Sequence, residues 1–314
     1  MSLDNEIVKI ASMYFEEGLT QAEIAQQRGV SRSLISKYLN DAKKAGIVKV
    51  FIDADTVYTT RLERELEKKF NLTNALVVDT YGLEQAEINR LVSQKASQFL
   101  LEIIANYQSV GISWGRSLRR LVDMMPHSRS SQTTIIPLIG GLSDEYFDIQ
   151  SNQLSYDLAR KIRGKAKYLY APAIVANQAL KAELTSNSAI QSILEDGKQV
   201  TLALVGISSL DQEDNMKRIG YTDQDDIQRL GDKGAVGVIN SRFFDQQGRE
   251  LDDDINHRVI GLDLEDLRQI NQVMTVVQGD KKAEAVKIAL DAQLISMIVT
   301  TDTLAEQILN LTKD

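Results

Sequence analysis

The chain has no cysteine among its 314 residues, which removes disulfides, a thiol nucleophile and thiolate metal ligation. Two histidines, His127 and His257, are too few for a histidine-rich metal centre. No apolar run reaches the roughly 18 residues of a membrane-spanning helix. The first residues carry no basic, apolar signal, so a soluble cytoplasmic protein is expected. Internal repeats, low-complexity tracts and long disordered runs are missing too. Basic residues are outnumbered, 36 to 44, and a net charge of −8 argues against a protein that binds nucleic acid over its whole surface. No cofactor or metal is expected.

What is present begins with Thr20–Leu39, TQAEIAQQRGVSRSLISKYL. Thr20 suits a helix N-cap, and Glu23 three residues on completes a capping box. Gly29 falls where a tight turn needs positive φ. Ser31 caps a second helix whose Leu34, Ile35, Tyr38 and Leu39 face inward. Arg32, Ser33, Ser36 and Lys37 are left on the outer side, where a major groove would meet them. Gln21, at the start of the first motif helix, joins the candidate DNA contacts, as do Ser31, Lys43 and Lys44. Apolar residues at helical spacing precede the motif (Ile7, Ile10, Ala11, Tyr14, Phe15), and Ile47–Ile52 reads as a strand after Gly46. Together these predict an all-α helix-turn-helix with a wing over residues 1–52.

Charge is distributed accordingly. From Arg28 to Lys49 six basic residues face one acidic residue, a local +5, so the rest of the chain carries −13. A cationic head on an acidic body concentrates phosphate attraction in one place. Residues 53–72 read as a linker helix with Leu62, Leu66 and Phe70 four apart. That narrow stripe could pack on its own domain or on a twin helix; the favoured expectation is that it helps pair two subunits.

From residue 73 to 314 short apolar runs alternate with helical patterns, the signature of an α/β domain with a mostly parallel sheet. The strand candidates include 75–78, 110–113, 134–138, 168–170, 200–205, 235–239, 258–262, 272–277 and 295–299. The clearest helices are 84–105, 116–124, 156–163, 281–291 and 303–311. Such sheets bind ligands beyond the carboxyl ends of their strands. Three strand-end loops fit a small anion there. Gly111-Ile112-Ser113-Trp114-Gly115-Arg116-Ser117 would present backbone amides and hydroxyls at a helix start. Gly279-Asp280-Lys281-Lys282 puts a lysine at a helix start, which suits the helix dipole only when an anion sits there. Gly140 and Gly141 would let a ligand approach the backbone.

GLTQAEIAQQRGVSRSLISKYL, GISWGRSL, PLIGG, VGI, KGAVGVINSRFFDQQG, VQGDKKAEAVKIAL and VTTDTLAEQIL occur in an order that resembles the SorC family (SorC/DeoR type) of bacterial sugar-responsive transcription regulators. The likeness runs over nearly the whole chain. It implies a winged helix-turn-helix and an effector domain of the sugar-phosphate isomerase, glucosamine-phosphate deaminase and CoA transferase type. It further implies homotetramers built as dimers of dimers, double-stranded operator DNA as partner, and a phosphorylated sugar as effector. Carried over by residue, the phosphate loop is Gly111, Ser113, Gly115, Arg116 and Ser117, with Arg242 and Asp245 lining the effector site and Lys282 completing it. Gln278 and Val238 depart from the family's glycine and aspartate. The competing reading of Arg242 and Asp245 is a salt bridge; that of Lys282 is a solvated helix residue. The rival function is a sugar-phosphate isomerase or deaminase with an appended DNA-binding arm. It would need a base, for which His127, His257, Asp144, Glu145, Asp245 and Asp302 are the candidates.

Overall fold

The structure is a computed structural model that describes residues 3–48, 56–127, 132–142, 144–210 and 214–312. Two compact units divide the chain at Val57–Tyr58. Among the described residues the first holds three helices: α1 (Leu3–Phe15), α2 (Gln21–Arg28) and α3 (Arg32–Lys44). The capping box forms as the sequence predicts, with Thr20 and Glu23 serving each other's orphan groups. Gly29 turns the chain at φ 67° and Ser31 caps α3. Ile10, Ile24, Ala25, Ile35 and Leu39 close a small core, with Leu19 and Tyr38 against it. Ile47 and Val48 form a bend rather than a strand, and the remainder of the expected wing, with Lys49, lies outside the described residues.

The second unit begins with α4 (Val57–Phe70), then β1 (Asn74–Val78), α5 (Gln85–Ile103), β2 (Ser109–Ile112), α6 (Arg116–Met124) and β3 (Thr134–Pro137). There follow α7 (Ser151–Ile162), β4 (Lys165–Ala166), α8 (Gln178–Thr185), α9 (Ser188–Lys198), β5 (Leu202–Val205) and β6 (Ile207–Ser209). Next come α10 (Asp214–Arg218), α11 (Gln224–Asp232), β7 (Gly237–Ile239), β8 (Arg242–Phe244), α12 (Asp254–His257) and α13 (Leu264–Gln269). The unit ends with β9 (Gln272–Val276), α14 (Ala283–Asp291), β10 (Met297–Thr301) and α15 (Asp302–Asn310). Among the described residues no helix is long and apolar enough to cross a membrane.

Seven parallel strands make the main sheet, in the order β1-β10-β9-β5-β2-β3-β4. Its central strands are apolar on both faces because helices cover both. Alternate residues of β5 go to opposite sides: Ala203 and Val205 join a core with α13, α14 and α15, while Leu202 and Leu204 join one with α5, α6 and α7. A three-stranded antiparallel sheet, β6-β7-β8, flanks it.

The stripe expected to pair subunits is used inside this unit. Leu62, Leu66 and Phe70 are buried in the first of those cores. On the same helix, Glu67 and Glu63 accept the outward N–H groups of Ala75 and Val77 at 3.1 and 2.9 Å. The open edge of β1 is thereby closed to further strands. Two expected strands are corrected. At Tyr168–Tyr170 the Asn152 amide takes both the N–H and the C=O of Leu169 (2.9 and 3.0 Å), so no ladder forms. In residues 258–262, Arg258 still closes the turn after α12 in the helical region, and the rest make only single bridges, Val259 to Ile174 and Gly261 to Ile139.

Candidate functional site: a cationic cleft and an exposed recognition helix

The chain moves outward along the sheet from β2 to β3 and β4, then returns and moves the other way through β5, β9 and β10. The boundary between β2 and β5 is therefore a topological switch point, where connections diverge and leave a crevice at the carboxyl ends. A cleft of about 360 Å³ opens there. Ser113 follows β2, Gly206 follows β5 and Gln278 follows β9, and all three line it.

Helix α6 starts at the cleft. Its N-cap is Gly115, at φ 132° and with no side-chain cap, and the N–H groups of a helix start suit an anion. Arg116, Ser117 and Arg120 of this helix and Lys282 before α14 line the wall. No carboxylate stands among the described lining residues. Burial, and then the neighbouring Arg116 charge, lowers the Arg120 pKa from its usual value. Cations gathered in a concave site favour an anion there.

Ser113 is buried, and its Oγ donates to Asn240 Oδ1 at 2.7 Å. Asn240 Nδ2 in turn donates to the carbonyls of Leu138 (3.3 Å) and Leu262 (3.0 Å). Asn240 and Ser241 are the two central residues of the β7–β8 hairpin, with φ of 51° and 61°. Positive φ at both positions is what a two-residue turn matching the strand twist requires, and Asn tolerates it. Trp114 Nε1 donates to Ser241 Oγ at 2.9 Å. The hairpin tip thus braces the floor of the cleft.

Of the sequence-predicted effector residues, Ser113, Gly115, Arg116, Ser117 and Lys282 come together here. Five do not. Gly111 lies within β2, where a Cβ would stand 2.4 Å from Leu138 Cδ2, so its role is packing. Gly140 and Gly141 serve a crossing of loops: their N–H groups bond Ile260 O and Ala171 O, and a Cβ on Gly140 would stand 2.4 Å from Pro172 O. Arg242 is buried, pairs with Glu250 at 2.8 Å and donates to the carbonyls of Asn256, Val259 and Gly261. Asp245 caps the turn after β8, accepting from the N–H groups of Gln247 and Arg249 and pairing with the Arg249 side chain. Both side chains are engaged in ion pairs within the protein, away from this cleft. Residues the sequence reading missed include Gln85, Asn89, Trp114, Arg120, Asn240 and Ser241. The four-residue spacing of Arg116 and Arg120 puts both on one helix face, and was the signal for the latter. Gln278 and Val238, where the sequence departs from the family pattern, also line the cleft.

The described candidate bases lie elsewhere. His257 pairs with Asp252 at 2.9 Å. Asp302 is buried and accepts from Thr80. His127 is exposed after α6, and the side chains of Asp144 and Glu145 lie outside the described set.

On the first unit, Arg32, Ser33 and Lys37 are exposed along α3, with Ser36 half-buried between them. Gln21 opens α2 and is half-buried; Lys44 ends α3 and is exposed. Ser31 is engaged as the cap, accepting from Leu34 N at 3.2 Å. Lys43 Nζ sits 5.6 Å from the Phe15 ring centroid. Arg28, counted in the basic stretch, is paired with Glu6 instead.

Residues 55–310 match the family described as "Putative sugar-binding domain", and residues 16–49 match winged helix-turn-helix DNA-binding. The chain is 29% identical to the sorbitol operon regulator of Klebsiella pneumoniae over 305 residues, 96% of this chain and 97% of that one. The full-length structure of Klebsiella pneumoniae SorC is similar at a TM-score of 0.75, with 29% identity, and covers 98% of this chain and 99% of its own. A DeoR family transcriptional regulator from Listeria monocytogenes is 43% identical at a TM-score of 0.75, over 80% of this chain and 99% of that chain. The chain belongs to the SorC family of transcriptional regulators, a winged helix-turn-helix DNA-binding module joined to a sugar-binding domain.

Proposed function

We propose that this regulator reads operator DNA through α3 and is controlled by a phosphorylated sugar bound in the cleft at the β2–β5 switch point. The observation that carries this is the cleft's charge: Arg116, Arg120, Lys282 and the start of α6 face it, and no described carboxylate does. The phosphate sits on the α6 amides and the Ser117 hydroxyl, with Lys282 as a charge partner. Arg32, Ser33, Ser36 and Lys37 meet bases and phosphates, and Gln21, Lys43 and Lys44 add contacts that position the head. Residues 1–52 act as the DNA-binding domain and 73–314 as the effector and oligomerisation domain. The protein works in the cytoplasm as a dimer of dimers, so that paired heads meet half-sites roughly 34–36 Å apart. Effector changes DNA affinity by binding two quaternary states unequally. It is bound without turnover, a reading supported by the lack of carboxylate or imidazole among the described lining residues.

The test is a thermal-shift panel of ribose, glucose and fructose phosphates beside the free sugars. Ligand at a hundred times its Kd adds about 2.7 kcal/mol, roughly 5–11 °C for a unit of this size. Lys282→Ala should reduce that shift. Equal stabilisation by free sugars contradicts the phosphate assignment, and product formation from any of the phosphates contradicts binding without turnover.

A further inference from the structure

Arg120 stands one turn above the start of α6, half-buried in the cleft wall. Half-buried arginines are ordinarily matched by a carboxylate. Here the guanidinium has one hydrogen bond among the described residues, a 3.5 Å contact from Nη1 to Asn89 Oδ1. That oxygen is already claimed by Gln85 Nε2 at 3.3 Å and by Gln278 Nε2. One carbonyl oxygen with two lone pairs cannot serve three donors well. Its neighbour on the same helix face is another cation, Arg116, and the two repel. Beside them Gln278 Oε1 is buried with no partner. This end of the cleft thus holds unused guanidinium donors, two like charges side by side and one unused acceptor.

We propose that Arg120, with Asn89 and Gln278, forms a second anion subsite, so that the effector carries an anionic group at each end: a sugar bisphosphate or a phosphorylated sugar acid. The proposal rests on the phosphate reading of the α6 start given above. The first anion takes the amides and Ser117; the second takes Arg120, whose backbone stands about 6 Å further along the helix axis. A fork of N–H donors suits the paired oxygens of either a carboxylate or a phosphate. Gln278 Oε1 accepts a sugar hydroxyl between the two ends.

Calorimetric titration of the full chain decides it, with glucose 6-phosphate, 6-phosphogluconate and glucose 1,6-bisphosphate as probes. Wild type should bind at least one of the two doubly anionic sugars about tenfold or more tighter than glucose 6-phosphate; which of them gains tells a carboxylate from a phosphate. Arg120→Gln should abolish that preference and weaken glucose 6-phosphate far less than the doubly anionic sugar that wild type favours, whereas Ser117→Ala should weaken all that bind. The ligand-free melting temperature of Arg120→Gln should equal or exceed that of wild type, because an unmatched like-charge neighbour is removed. Equal affinity of wild type for the three sugars overturns the proposal. So does an Arg120→Gln variant that loses affinity equally for all three, because Arg120 would then serve the first phosphate. If none of the three binds, the phosphate reading itself fails and this proposal with it.

Discussion

Asn240→Ala tests whether the hairpin tip holds the cleft floor. The substitution removes the acceptor of the Ser113 hydroxyl and the donor to Leu262 O, while Leu138 O keeps a second donor in Leu262 N. Two buried groups are orphaned, at about 1 kcal/mol each, the low end of the usual range because a hydroxyl can turn to another partner. Alanine must also hold a φ of 51°, which costs about 1 kcal/mol. The total is roughly 3 kcal/mol, or about 6–12 °C in melting temperature for a unit of this size. Trp114, the single tryptophan, donates to Ser241 at the same tip. Its fluorescence during urea or thermal unfolding reports on this region directly. Asn240→Gly also loses the hydrogen bonds but tolerates the backbone, so it should recover about 1 kcal/mol relative to alanine. An alanine variant within about 0.5 kcal/mol of wild type, or a glycine variant less stable than the alanine one, would refute the reasoning.

Three other perturbations separate roles. Arg32→Ala should weaken operator binding by about 1–3 kcal/mol and move thermal stability by less than about 0.5 kcal/mol, checked by fluorescence anisotropy and calorimetry; unchanged DNA affinity removes Arg32 from the interface. Arg242→Ala should cost about 3–5 kcal/mol, because Glu250 loses its buried partner, yet leave ligand affinity of the folded fraction intact; a selective loss of affinity would return Arg242 to the effector site. Asp253, whose side chain is fully buried, is held by Arg229 and Lys233 and caps α12. Burial raises its pKa, but those two cations and the Ile255 N–H outweigh it and bring it down to about 2 from the ordinary 3.8. A depressed carboxylate adds stability above its unfolded value and loses it as pH falls through the folded one. Roughly 2 kcal/mol should therefore disappear between about pH 4 and pH 2, and Asp253→Asn should flatten that part of a stability–pH curve.

The helix-turn-helix was legible because its signals are local: a capping box, a glycine turn and an apolar face, all within twenty residues. Helix α6 was read to its exact ends because Leu118, Leu121 and Val122 recur at helical spacing. Helix α8 was not read, since none of its residues is buried and there is no periodicity to find. Strands β6 and β8 are three residues each, too short for alternation. The same contrast holds at the site. Ser113, Gly115, Arg116 and Ser117 belong to one strand–helix junction and Lys282 to another, so sequence places them at the sheet's carboxyl edge. Asn240 reaches Ser113 across 127 positions, and Arg242 is committed to carbonyls 14 to 19 residues away. Such partners follow from tertiary packing, which no local pattern reports.

Affinity for operator DNA, titrated with and without a sugar phosphate that fills the cleft, tests the account most directly. Linkage between the two sites should shift that affinity by roughly 5- to 150-fold in one direction, and Lys282→Ala should shrink the shift. Identical DNA affinity with the cleft empty and saturated would contradict control of the reading head by the effector domain.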